Sequence, residues 1–244
     1  MNNAGDPVTG LLDDAGFSDY TLMNINYCHK LNRDIDPRLA LAEPLKCIVT
    51  VLRGAAPEVR DIGVILGCGP MGLWCIQALA GKTLSALIAI DIDDNKLKLA
   101  KKYGATHAIN SRKENTEKAI CDISSAHMAD FVIEGTGIPR LLNEAMSYLR
   151  QSRGRLVLMS SHESASTSFD FRPAISKSLE LIVAHPGYSQ NTADDLRRAV
   201  NLINNGVFKL DEVISHTFQL KNIDAAFQAL EHKPEGYMKG IVVP

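Results

Sequence analysis

Cysteine is scarce and scattered in this chain. The 244 residues hold five, Cys28, Cys47, Cys68, Cys75 and Cys121, an odd number without a Cys-x-x-Cys pair. That spacing argues against a disulfide framework and against a four-cysteine zinc site, and leaves Cys68 and Cys75 as small buried thiols. No apolar run approaches the length of a membrane span, and Met1-Asn2-Asn3-Ala4-Gly5-Asp6 has no signal-peptide pattern, so the expectation is a soluble, cytoplasmic protein. A net charge of −2 gives no reason to expect nucleic acid or an anionic membrane as partner. Internal repeats, low-complexity tracts and basic runs are also missing.

Hydrophobic residues make up 45% of the chain, enough to build one large α/β domain and a smaller portion. The informative stretch is Gly67-Cys68-Gly69-Pro70-Met71-Gly72, which joins the apolar run Ile62–Leu66 to the helical pattern of Met71–Ala80. A strand, a glycine turn and a helix in that order suit a dinucleotide pyrophosphate. Gly67 permits the tight turn, Gly69 lets backbone approach phosphate, Gly72 lets the helix pack on the sheet, and Pro70 and Met71 open the helix whose positive end faces the anion. A second run, Ala86–Ile90, ends in Asp91, about 20 residues beyond the turn, where an acid that binds ribose is expected. A carboxylate there accepts from the ribose hydroxyls and repels a 2′-phosphate, which favours NAD(H); Lys96 and Lys98 nearby are the groups that would receive a phosphate instead. Asp91 could alternatively cap the helix that begins near Asp93.

Helix and strand then alternate: an amphipathic helix over Asn95–Tyr103, a short Ala108-Ile109 segment, a helix over Glu114–Ile123, and strands at Phe131–Ile133, Leu156–Met159 and Leu181–Val183, with a helix over Pro139–Leu149. Short apolar strands separated by helices predict a doubly wound parallel sheet covered on both faces, spanning 37–206. The flanks, 1–36 and 207–244, are too short to stand alone. Gly16–Leu22 reads as a strand, and Val213–Leu220, Ile223–Leu230 and Gly240–Val243 as strand, helix and strand, so a small lobe can form only if both chain ends meet.

The chain resembles the medium-chain dehydrogenase/reductase superfamily of zinc alcohol, sorbitol and threonine dehydrogenases. The resemblance runs from about Gly16 to Pro244 and rests on Gly16-Phe17-Ser18-Asp19-Tyr20, Ala42-Glu43-Pro44-Leu45, Gly67–Gly72, Asp91 with Lys96, Tyr103-Gly104-Ala105, Glu134-Gly135-Thr136-Gly137, and Ala225-Ala226-Phe227 followed by Lys239. It implies a Rossmann domain with NAD as cofactor, and adds Gly135, Thr136, Ser160 and Lys239 to the cofactor-binding residues Gly67, Gly69, Pro70, Met71, Gly72, Asp91 and Lys96. It also implies a homodimer in which two sheets join at an edge, here Phe169-Asp170-Phe171 and Leu179–Ala184, a pairing that proline at Ile182 should oppose.

The departure from the family concerns metal. Relatives begin with a GroES-like catalytic domain of roughly a hundred residues, which supplies cysteine and His-Glu ligands to a catalytic zinc. This sequence has no Gly-His-Glu and no cysteine before Cys28, so no metal site is expected from it. Glu43 sits near the zinc in polyol-type relatives; here it is either an acid/base or a helix-terminus carboxylate beside Pro44. At the carboxyl ends of the strands, His185 and His162 are the candidates for proton transfer, since imidazole titrates near neutral pH. His216 reads as structural. Two functions follow: a zinc-free oxidoreductase exchanging hydride with a small hydroxylated or carbonyl metabolite, net or redox-neutral, or an NAD-binding subunit or regulator that needs a partner chain.

Overall fold

The structure, a computed structural model, describes residues 17–161, 168–184 and 186–244. The chain divides into two compact units, one of residues 47–190 and one assembled from the terminal segments up to 46 and from 191 onward. Among the described residues no helix is long and apolar enough to cross a membrane.

The larger unit is an α/β sheet structure. Its strands are β1 (Ile62–Leu66), β2 (Ala86–Asp91), β3 (His107–Asn110), β4 (Phe131–Glu134), β5 (Arg155–Leu158) and β6 (Glu180–Val183). Between them lie α2 (Pro70–Leu79), α3 (Asp94–Lys102), α4 (Thr116–Ile123), α5 (Leu141–Ser147) and α6 (Phe171–Ser176), after α1 (Ala42–Ala55) has led into the unit. The order is β3-β2-β1-β4-β5-β6, every pair parallel, so the chain winds one way from β1 and then back from β4. This is the doubly wound Rossmann arrangement expected from the sequence, and its switch point lies between β1 and β4.

Both faces of the sheet are covered, which explains why its strands read as unbroken apolar runs rather than as alternating ones. Val64, Ile88, Val132 and Leu156 pack with Ile120 of α4 and Met146 of α5. The intervening Ile65, Leu87, Phe131 and Val157 point the other way along the pleat and are equally buried. Helix ends are set by local side chains. Asp93 accepts from the Asn95 amide at 2.8 Å to start α3, and Asn115 accepts from the Lys118 amide at 2.9 Å to start α4.

The end of α5 is held from a distance. Lys177 Nζ donates to the carbonyls of Met146, Ser147 and Leu149 at 3.2, 3.0 and 2.8 Å, and burial lowers its pKa from the ordinary lysine value. A cation on the last carbonyls satisfies groups that helix geometry leaves open and meets the negative end of the dipole. Lys177→Met is expected to lower stability by about 1–3 kcal/mol, the range for charge-assisted bonds, seen as a lower urea midpoint with an unchanged slope.

In the smaller unit β7 (His216–Gln219) and β8 (Gly240–Val243) form a parallel pair joined through α8 (Ile223–His232). The two chain ends do meet. Phe17 sits edge-on to Phe227 at 6.0 Å, and Asn204 at the end of α7 (Thr192–Asn204) exchanges hydrogen bonds with Asn32 and with the Lys30 carbonyl. Those bonds draw α7 into the terminal unit, so the division falls at 46/47 and 190/191, whereas the sequence put it at 36/37 and 206/207. The strand expected over Gly16–Leu22 is not formed. Gly16 lies outside the described residues, and 17–22 form no strand with any of the described residues; Tyr20 and Leu22 are exposed.

Candidate functional site

The glycine turn occupies the switch point. Gly67 has φ +98°, in the region that only glycine enters without strain, and its amide donates to the Ile90 carbonyl at 2.8 Å. Gly69 caps α2 without a side-chain bond and Pro70 contributes no N–H. The amides of Met71 and Gly72 therefore lead the helix, and at that position α-helix geometry provides them no acceptor within the helix. Gly72 is required by space: a Cβ there would lie 1.9 Å from the Gly67 carbonyl oxygen.

Asp91 closes the turn from the next strand. Its Oδ2 accepts from the Cys68 amide at 2.7 Å, and its Oδ1 accepts from Ile92 and Asp93 amides at 2.8 and 3.0 Å. The alternative role is thereby assigned elsewhere, because the cap of α3 is Asp93 and not Asp91. Three backbone donors fix the carboxylate at the carboxyl end of β2; two of them fill Oδ1, and Oδ2, with a single donor, keeps a lone pair for a ribose hydroxyl. Two free thiols nearby, Cys68 and Cys75, are buried. Burial, then the negative charge of Asp91, pushes Cys68 up, with Lys96 opposing, and burial pushes Cys75 up to about 12.

The turn after β4 packs against the first. Gly135 N donates to the Leu66 carbonyl at 2.8 Å, and the Thr136 methyl lies 2.9 Å from where a Gly67 Cβ would be. Glu134 organises this turn and was not singled out as a site residue from the sequence. It is fully buried, and its Oε1 accepts from the Thr136 amide at 2.6 Å, from the Gly137 amide at 3.2 Å and from the Thr136 hydroxyl. Its signal was a carboxylate ending an apolar strand. Ser160 follows β5, with its amide 3.3 Å from the Glu134 carbonyl and its Cβ beside Gly137. The structure thus gathers Gly67, Gly69, Pro70, Met71, Gly72, Asp91, Gly135, Thr136 and Ser160 at one end of one sheet, with Lys96 on the first turn of α3.

Other expected residues lie elsewhere. Lys239 belongs to the smaller unit, where its carbonyl accepts from the Ser215 amide at 2.9 Å. Glu43 is also in that unit, with Oε1 3.3 Å from Nζ of Lys46, whose side chain is almost wholly buried. His162 and His185 lie outside the described residues. His216 bonds to the Ser215 hydroxyl at 2.9 Å and lies against the rings of Phe218 and Tyr237, as a structural side chain does.

The family profile described as "Zinc-binding dehydrogenase" matches residues 70–205, more than half of the chain. The chain belongs to this family. It is therefore a medium-chain dehydrogenase/reductase, as its motifs resemble. Erythritol/L-threitol dehydrogenase of Mycolicibacterium smegmatis is 34% identical over 193 residues, covering 79% of this chain and 52% of that protein. Two solved structures share the fold at a TM-score of 0.76, each covering 88% of this chain and 62% of the other. One is described as a short chain alcohol dehydrogenase, rspB of E. coli CFT073, complexed with NADH, at 22% identity, and the other as a zinc-binding dehydrogenase of Sinorhizobium meliloti 1021 bound to NADP, at 21%. The chain thus spans about half the length of the curated relative and under two thirds of these structures.

Zinc is the metal that the family name implies. Among the described residues no group of three or more His, Cys, Asp or Glu side chains is arranged to hold a metal ion. Glu43, the acid that the resemblance implies lies near a zinc in polyol-type relatives, is engaged by a lysine ammonium, which competes with a cation for the same oxygen. The donors among the described residues do not by themselves make up a catalytic zinc site.

Proposed function

We propose that this chain is an NAD(H)-preferring oxidoreductase that exchanges hydride with a small hydroxylated or carbonyl metabolite without a zinc of its own. The observation that carries the reading is the fixed Asp91 carboxylate beside the Gly67–Gly72 turn. Family membership and a polyol dehydrogenase as relative support the reaction class. The nicotinamide cofactor supplies the hydride acceptor and donor. The chain's own part is to seat pyrophosphate on the amides leading α2, to take the ribose hydroxyls on Asp91, and to set the inner turn through Glu134. His185 is the first candidate for moving the substrate proton and His162 the second, because both follow carboxyl ends of strands in this sheet, where ligands bind.

The test is NADH formation with a panel of small polyols and amino alcohols, in the presence and absence of a chelator, on protein whose metal content has been measured. Turnover that survives chelation, and that falls in His185→Ala, is expected. Tight NADH binding without turnover on any member, and with a second protein co-purifying, would overturn the enzymatic reading in favour of a cofactor-binding subunit.

We also propose that two copies pair along β6. This strand ends the sheet, its residues alternate in exposure, and Leu181, Val183, Phe171 and Ile175 leave apolar surface beside it. Glu180 and Ala184 amides donate inward to β5, so by alternation Ile182 does too, and the amides of Leu181 and Val183 face the open edge. Proline at Ile182 would therefore damage the sheet itself. Leu181→Pro is the better probe: it is expected to convert a dimer to a monomer in light scattering at micromolar concentration while the circular dichroism is retained. An unmutated chain that runs as a monomer removes the proposal.

A further inference from the structure

The loop that carries Asp91 is tied to the neighbouring strand by a residue outside the cofactor motifs. Asn110 ends β3, directly opposite Asp91 in the parallel register, and is 7% exposed. Its Nδ2 donates to the Ile92 carbonyl at 3.3 Å and to Asp94 Oδ1 at 2.7 Å, while its Oδ1 accepts from the Arg112 amide at 3.0 Å. One residue on, the Ser111 amide donates to the Asp91 carbonyl at 3.1 Å. Lys113 Nζ then holds the second Asp94 oxygen at 2.5 Å. Three of the four residues from Asp91 to Asp94 are thus fastened to the exit of β3.

We propose that Asn110 is a positioning residue that sets adenosine-ribose affinity and the choice between NAD(H) and NADP(H), acting through Asp91. The proposal rests on the cofactor reading above. The physical reason is preorganisation. A carboxylate that must accept from the ribose gains most when its backbone is already fixed, because ordering the loop is otherwise subtracted from the binding energy. The Ile92 and Asp93 amides that hold Asp91 Oδ1 belong to this loop, so freeing the loop also frees the carboxylate. The exposed Lys113–Asp94 pair adds little alone, since ion pairs in water are weak. Asn110 is the stronger tie, because its side chain is itself buried and bonds at once to Ile92, Asp94 and Arg112.

The test compares the native chain with Asn110→Ala and Asn110→Ser. Serine keeps a hydroxyl near the Arg112 amide, and so retains the turn after β3, but is too short to reach Ile92 and Asp94. Affinities for ADP-ribose, NADH and NADPH are measured by calorimetry. Both variants are expected to weaken ADP-ribose and NADH by about fivefold to tenfold, the loss of one or two part-buried bonds, and to weaken NADPH less, so that the cofactor ratio narrows. In an Asp91→Ser background the same changes should have no further effect on ADP-ribose, because a group acting through Asp91 cannot act once it is gone. Unchanged ADP-ribose affinity in a folded Asn110→Ser overturns the proposal and leaves the cofactor reading intact, as does a full additive loss in the Asp91→Ser background. A native chain that binds neither ADP-ribose nor NADH overturns both.

Discussion

Gly72→Ala is expected to weaken NADH binding by at least about tenfold and to lower stability by about 1–3 kcal/mol, the usual cost of forcing a methyl group into packed structure. The new Cβ would meet the Gly67 carbonyl oxygen at 1.9 Å and its carbon at 3.0 Å. These are backbone atoms and cannot rotate away as a flexible side chain can. Gly67 cannot retreat cheaply either, since its amide is bonded to Ile90 on β2 and its φ is already held at +98°. The start of α2 must therefore move outward, carrying with it the Met71 and Gly72 amides that would face pyrophosphate. Gly69→Ala is the internal control, because nothing lies within 4 Å of a Cβ there and the backbone has an ordinary negative φ. That variant should unfold like the native chain and lose affinity only through a blocked approach to phosphate. Nicotinamide fluorescence titration together with calorimetric unfolding reads both effects. A Gly72→Ala chain that binds NADH normally would refute the assignment of this turn to the pyrophosphate.

The second large effect is expected at Asp91. Asp91→Ser removes the charge that repels a 2′-phosphate and the acceptors for the ribose hydroxyls, so NAD(H) should lose about tenfold or more while NADP(H) loses less or gains. Asp91→Asn is expected to be the poorer binder of the two for a local reason. With its one oxygen turned to the Ile92 and Asp93 amides, its NH2 group would face the Cys68 amide, donor against donor. Parallel titrations with NADH and NADPH check this. If the native chain binds the two equally, Asp91 is not the discriminating residue.

Much of this site was legible because it is local in sequence. The tight turn, the helix it opens and the acid that ends the next strand lie within Ile62–Asp91, and each element announces itself by composition: an apolar run, glycines at fixed spacing, a carboxylate where the run stops. Glu134 and Asn110 were harder to find: a carboxylate where a strand stops and a glycine motif after it do not show that Glu134 organises the turn, and nothing near Asn110 sets it apart. Glu134 matters because three donors of the following turn converge on a carboxylate from which burial excludes water. Asn110 matters because parallel pairing with β2 brings it beside Asp91, across an intervening helix. The Gly16–Leu22 expectation failed for the converse reason. Its residues suit a strand, but strand structure needs a partner, and 17–22 have none along a ladder among the described residues.

What the sequence determined by itself is the doubly wound class, because alternating apolar runs and helical stripes, punctuated by glycine, dictate local conformation and which faces must be buried; the family came from motifs that resemble it. Tertiary structure alone decided that Asp91 bonds to the turn while Asp93 caps the helix, since one segment offers both carboxylates and only the position of the Cys68 amide distinguishes them. It also decided the unit boundaries. The bonds of Asn204 to Asn32 and Lys30 join residues from opposite ends of the chain, and no pattern within either end specifies a hydrogen-bond partner so far away in sequence.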